Sequence, residues 1–174
     1  MQKAKQRSEI AQQDKWRIED IYATDEAWEA DYNECIRRAK EKCVYQGRLA
    51  ESALILYQAL KESDEADLLV EHVYVYAFMK YYEDTANAVY QEMSGRAQAA
   101  VTKLSEKYAF LTPEILAIDQ KKMQEYLNSD TLALYRHALE DILAKKEHAL
   151  SETEERLLAM AGQVTASPNE IFSK

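Results

Sequence analysis

The sequence predicts an all-α fold, an antiparallel bundle of about six helices with an extended N-terminal segment. Apolar residues recur every three or four positions over long stretches, the period of a helix rather than a strand. Only three Gly and two Pro interrupt 174 residues, too few for the many turns of a sandwich, barrel or disulfide scaffold. Hydrophobic residues make up 47% of the chain, enough at this length for one sizeable core. The boundary falls near Thr24, giving a leading segment, residues 1–23, and a helical domain, residues 24–174.

Residues 1–23 are polar and aperiodic, with Trp16, Ile18 and Ile21-Tyr22 as anchors that could hold the segment against a helical body. After Thr24-Asp25 a helix starts, with Trp28, Tyr32, Cys35 or Ile36, and Ala39 about one turn apart. Gly47 is its natural stop, because a left-handed cap residue is cheapest as Gly. A shorter helix covers about Ala50 to Leu60. Ser63 or Asp64 can then cap another, running to about Glu83. Within it, Val73-Tyr74-Val75-Tyr76-Ala77-Phe78 is β-branched and aromatic and alone would read as a buried strand. The acidic turn Asp64-Glu65-Ala66-Asp67 before it suits a helix N-terminus, and no Gly or Pro intervenes before Thr85, so a central helix is expected.

The clearest periodicity follows. Ala86, Val89, Tyr90, Met93, Ala97, Ala100, Val101, Leu104, Tyr108 and Leu111 mark one face of a helix capped by Asp84 or Thr85. Its short connection to the preceding helix predicts antiparallel neighbours. Thr112-Pro113 ends it and opens a helix to about Leu127, with Pro at the first helical position. Another follows Ser129-Asp130, and Ser151-Glu152-Thr153-Glu154 is a capping box for a last one reaching Gly162.

Charge and cysteine content narrow the partners. With 22 Lys+Arg against 31 Asp+Glu the net charge is −9, which argues against nucleic acid. The longest apolar run, Val73 to Met79, is far short of the roughly 20 residues that span a bilayer, so no membrane partner is expected. No apolar stretch follows the charged first residues, so no signal peptide is expected. Cys35 and Cys43, eight apart on what reads as one helix, would sit roughly 12 Å apart, too far for a disulfide. Two unpaired thiols fit a cytoplasmic protein.

The sequence offers no catalytic residue and no metal ligand set. The residues three before His72, His137 and His148 are Leu69, Leu134 and Lys145, so the Glu-x-x-His pairs of di-iron bundles are absent. His-Glu-x-x-His, a Gly-x-Ser-x-Gly elbow and a Gly-rich phosphate loop are absent too. His137 and Asp141 are an i, i+4 pair that could supply two metal ligands, although the spacing better fits an ordinary hydrogen bond on a helix surface. Twelve tyrosines against three phenylalanines is the unusual feature. Tyrosine buries its ring while keeping its hydroxyl wet, which suits a groove wall, an interface or the edge of a helical core. In the set Tyr74, Tyr76, Tyr81, Tyr82 and Tyr90, the candidates for an interface or channel wall are Tyr74, Tyr81, Tyr82 and Tyr90.

Several segments, in order, resemble the N-terminal region of oligoendopeptidase F. They are Trp16-Arg17-Ile18-Glu19-Asp20-Ile21-Tyr22, then Tyr74 to Thr85 with Asn87 and Tyr90-Gln91, then Pro113-Glu114-Ile115-Leu116. Tyr135-Arg136-His137, Ile142-Leu143, His148-Ala149-Leu150-Ser151, Glu154-Glu155, Leu157-Leu158-Ala159 and Pro168-Asn169-Glu170-Ile171-Phe172 complete the succession. Phe78 stands where relatives often carry His, and Ala144 where Arg is expected. The resemblance implies a helical part that walls one side of an enclosed peptide channel in a zinc metallopeptidase of short peptides. The family's His-Glu-x-x-His and third Glu ligand lie downstream of the matching region, so no catalytic or zinc-binding residue carries over. Zinc is expected only in the catalytic domain that this chain lacks, and that C-terminal domain is the expected partner. The chain is then a piece of such a peptidase or a naturally shortened relative. A stand-alone helical interaction protein is the alternative. An exposed tyrosine-bearing face would favour self-association of the isolated chain.

Overall fold

The structure, a computed structural model, describes residues 10–145. Among the described residues two 3-10 turns, Gln12–Asp14 and Ile18–Asp20, precede six α-helices. These are α1 (Asp25–Lys40), α2 (Ala53–Glu83), α3 (Ala88–Tyr108), α4 (Leu111–Ala117), α5 (Gln120–Leu127) and α6 (Arg136–Ala144). No strand occurs among the described residues, so the fold is all-α as the sequence predicts. The chain divides into two compact units, one ending at Ala133 and the other beginning at Leu134. The capping box at Ser151 and the last predicted helix lie outside the described residues.

Helix α1 starts as expected. Thr24 Oγ1 accepts from the Ala27 N–H, Asp25 and Glu26 sit at the positive end of the helix dipole, and Arg37, Arg38 and Lys40 at the negative end. It stops at Lys40, seven residues short of Gly47, where Glu41 turns extended. Gly47 is nevertheless left-handed, with φ +79°, in a turn of the loop that follows. Cys43 therefore lies on that loop rather than on the helix of Cys35, and both thiols are free.

Helix α2 corrects the prediction of two helices. Ser52 Oγ caps it by accepting from the Ile55 N–H, and it then runs unbroken for 31 residues. Ser63 is buried inside it and caps nothing. The buried positions Leu56, Ala59, Ser63, Ala66, Val70, Val73 and Ala77 keep one phase across the expected break. Continuous burial of that face outweighs the local preference of Ser-Asp for a cap. The strand-like segment Val73–Phe78 is helical for the same reason.

Asn87, not Asp84 or Thr85, caps α3, its Oδ1 accepting from the Val89 N–H; Asp84 Oδ1 takes the Ala86 N–H beforehand. The predicted helix to Leu127 is two. Thr112-Pro113 falls inside the first turn of α4, where the missing proline N–H costs no helical hydrogen bond. Ile118 turns extended, and Asp119 recaps the chain by accepting from the Lys121 and Lys122 N–H groups. Beyond Ser129 the chain makes a 3-10 segment, Asp130–Tyr135, before α6.

In the first unit α1 and α3 both run antiparallel to α2. Tyr90 near the start of α3 lies beside Lys80 near the end of α2, while Lys107 and Tyr108 reach Glu62. Trp28, fully buried near the start of α1, donates its indole N–H to the Val73 carbonyl at 2.8 Å. Two tyrosines tie the layers with carboxylates, Tyr76 Oη donating to Asp25 (2.7 Å) and Tyr22 Oη to Asp31 (2.8 Å). Of the predicted anchors, Ile18 and Tyr22 are buried and Trp16 is exposed. The loop leading into α2 is held by α4 and α5: the Gly47 N–H donates to Glu114 at 2.7 Å, and Tyr126 Oη to the Ala50 carbonyl at 3.0 Å.

Candidate functional site

The C-terminal half of α2 carries a ladder of rings. Residues four apart stack on one helix face, and Tyr74, Phe78 and Tyr82 have that spacing. The Tyr74 and Phe78 centroids are 4.2 Å apart in a stacked pair, Phe78 and Tyr82 are 6.0 Å apart, and Tyr81 meets Tyr82 at 5.3 Å. Tyr82 is 63% exposed, the outer end of the ladder. Tyr74, Tyr81 and Tyr82 thus fall in one chain of ring contacts. Tyr90 joins differently, through the Lys80 ammonium, which lies 5.2 Å from its ring and 5.3 Å from that of Tyr76. Tyr76 is on the inner side, buried.

At the foot of the ladder an open groove of about 310 Å³ runs between α2 and α3, lined by Val70, Glu71, Tyr74, Gln98 and Val101. Only Tyr74 of these stands out in the sequence. Val101 reads there as a core position, and the signal missed was its phase: it lies five residues beyond Arg96, about 140° further round α3. Arg96 faces α1, its guanidinium 4.2 Å from the Tyr32 ring and 5.3 Å from that of Trp28, and it is ion-paired with Glu29. Asp25, Glu26, Glu29, Val89, Glu92, Met93 and Arg96 line a second groove of about 280 Å³ on that α1 side. A hydrogen bond from Arg96 holds the Glu29 carboxyl below its usual range.

The strongly shifted tyrosines and Cys35 owe their shifts first to burial in the packed interior. Burial, then a hydrogen bond to a carboxylate, pushes Tyr22, Tyr76 and Tyr108 above the normal tyrosine range. Burial likewise pushes the Cys35 thiol up to about 11, leaving it protonated and unreactive at neutral pH. The described residues do not fit zinc, for no three of His, Cys, Asp or Glu come together in a way that could hold a metal. His72 is exposed on α2. His137 is exposed on α6, its Nε2 3.7 Å from Asp141 Oδ2, longer than the hydrogen bond that the spacing suggests. His148 lies outside the described residues. Among the described residues no helix is long and apolar enough to cross a membrane.

Comparison with known proteins agrees with the resemblance. A family profile described as Oligopeptidase F matches residues 114–174. Oligopeptidase PepF of Bacillus subtilis is 39% identical over 168 residues, a stretch that is 96% of this chain and 25% of that protein. The crystal structure of oligoendopeptidase-F from Enterococcus faecium superposes with a TM-score of 0.69 at 30% identity, over 85% of this chain and 29% of that one. A Chlamydophila abortus crystal structure shares the fold over 98% of this chain, with a TM-score of 0.77 at 24% identity. The chain spans about a quarter of the length of the curated relatives it matches. Over nearly all of its residues, this chain is similar to a part of oligopeptidase F proteins from several bacteria.

Proposed function

We propose that this chain is the non-catalytic helical N-terminal domain of an oligoendopeptidase F-like zinc metalloendopeptidase of the cytoplasm. Residues 1–23 form its leading segment and 24–174 its helical body. The observation that carries this reading is 39% identity over 168 residues to a peptidase of which those residues are only a quarter. Zinc, the general base and the peptide bond under attack belong to the remaining part. A catalytic zinc needs three protein ligands and an open position for water, and this sequence contains no His-Glu-x-x-His. The face bearing Tyr74, Tyr81, Tyr82 and Tyr90 walls the peptide channel or meets the catalytic domain, so that only short peptides enter.

The test is turnover of a short quenched peptide in three mixtures containing zinc. They hold this chain alone, the unmatched remainder of the Bacillus subtilis relative alone, and both together. Cleavage that appears, or rises sharply, only in the third supports the proposal. Chelator-sensitive cleavage by this chain alone, lost on His137→Ala or His148→Ala, overturns it. A chain that neither binds the remainder nor changes its activity is instead a separate interaction protein.

A further inference from the structure

Helix α2 carries two apolar seams on opposite sides. The inner one includes Ala66, Val70, Val73 and Ala77, all buried, with the Val73 carbonyl accepting from the Trp28 indole of α1. The outer one is Leu68, Val75, Met79 and Tyr82, interrupted by His72. At about 100° per residue these five fall within an arc of about 80°, centred about 180° from the inner seam. Their steps alternate between four and three residues, the spacing by which one helix packs along another.

The two seams differ in exposure. Leu68 is 58% exposed and Tyr82 63%, His72 is exposed, and Val75 and Met79 are half-buried. One exposed Leu or Tyr is ordinary, but a 31-residue helix with apolar seams on opposite faces has the pattern of a central helix, covered on both sides. Carboxylates crowd both ends of the outer seam, Asp64, Asp67 and Glu71 at one and Glu83 and Asp84 at the other. A second copy laid on it, parallel or antiparallel, brings acid to acid, and the net charge of −9 adds to that cost.

Resting on the reading of this chain as part of an oligoendopeptidase F-like peptidase, we propose that the catalytic part of that peptidase packs on the outer seam of α2, laying one apolar helix along Leu68 to Tyr82. Size and linkage select this occupant. About three quarters of the Bacillus subtilis relative lies outside the matched stretch, in the same polypeptide, and a tethered partner is held beside its docking face at high effective concentration. The outer seam then receives from that helix the cover that the inner seam receives from the rest of the first unit.

A chimera tests it, with this chain in place of the matched stretch of the Bacillus subtilis relative. Peptide turnover then reports on the peptidase reading, and thiol alkylation reports on the seam. Leu68→Cys and Tyr82→Cys are made singly in the chimera and in this chain alone, with Lys40→Cys, exposed on α1, as reference, and alkylation at each position is followed by peptide mass spectrometry. In the chain alone both seam variants should react as fast as Lys40→Cys. In the chimera they should slow by at least about tenfold while Lys40→Cys does not, as the core of an interface excludes the reagent. Leu68→Asp should leave the circular dichroism of the chain alone unchanged and lower the urea midpoint of the chimera. An active chimera whose seam variants stay reactive overturns the proposal and leaves the peptidase reading standing. A folded chimera with neither turnover nor protection removes both, and if the chimera does not fold, the same labelling at the aligned positions of the Bacillus subtilis protein decides. Slow labelling in the chain alone also overturns the proposal, because the seam is then covered by this chain's own residues or, where sedimentation shows a dimer, by a second copy.

Discussion

Alkali should unfold this protein through its buried tyrosines, and the effect can be worked from three hydrogen bonds. Tyr22, Tyr76 and Tyr108 are all buried and donate to Asp31, Asp25 and Glu62. A phenolate at any of these positions would lose solvent and face a carboxylate, so each folded-state pKa is raised. Above about pH 10 the unfolded chain releases these protons and the folded chain holds them, so the unfolded state binds fewer protons and stability falls as pH rises. Each tyrosine adds a slope of about 1.4 kcal/mol per pH unit, and the three together about 4 kcal/mol per pH unit. Against a typical total of about 5–15 kcal/mol, that is enough to unfold the chain within a few pH units. Urea midpoints read by circular dichroism from about pH 8 to pH 11 measure the slope. Tyr76→Phe should cost about 1–2 kcal/mol at neutral pH, for the lost bond to a charged acceptor, and reduce the alkaline slope by about 1.4 kcal/mol per unit. An unchanged slope in all three single Phe variants would refute the reasoning.

Three further outcomes follow from single side chains. Trp28→Ala empties the contact of α1 with α2 and should cost about 3–5 kcal/mol by urea unfolding, one of the largest single effects in the first unit. Gly47→Ala meets no steric neighbour but forces an L residue into φ +79°, and should lower stability by about 1 kcal/mol. The Arg37 and Arg38 guanidiniums hold the Glu34 carboxyl at about 2, so its contribution is present above about pH 4.5 and fades as pH falls toward 2. Glu34→Gln should flatten that part of the acid unfolding curve by no more than about 1 kcal/mol, since the pair is near the surface.

Helix existence was legible in the sequence because burial repeats at helical spacing; helix ends were not, because they depend on tertiary contacts. Ser63-Asp64 reads as a start only while the partner of its face is unknown, and α3 is that partner. Gly47 signals a left-handed residue correctly but not which element it serves; the Glu114 carboxylate that takes its N–H comes 67 positions later. Asp119 is legible as a cap, an acid before the polar turn Gln120-Lys121-Lys122. The ring ladder follows from four-residue spacing, so Tyr74 and Tyr82 could be paired on paper. The α3 wall of the groove could not, because only the rotation of α3 against α2 decides that Val101 faces outward while Leu104 is buried.

Helix α2 also determines how the first unit can move. At about 1.5 Å per residue its 31 residues make a rod of about 46 Å. One end carries the ring ladder, and the other continues into the loop clasped by Glu114 and Tyr126. With no Gly or Pro along it, the rod has no hinge, so displacement at one end is delivered to the other as tilt. A tilt of about 5° about the Tyr82 end would swing the Ser52 end by about 4 Å, more than a hydrogen bond length. The clasp bonds at Gly47 and Ala50 therefore sit at the end where a given tilt produces the largest displacement.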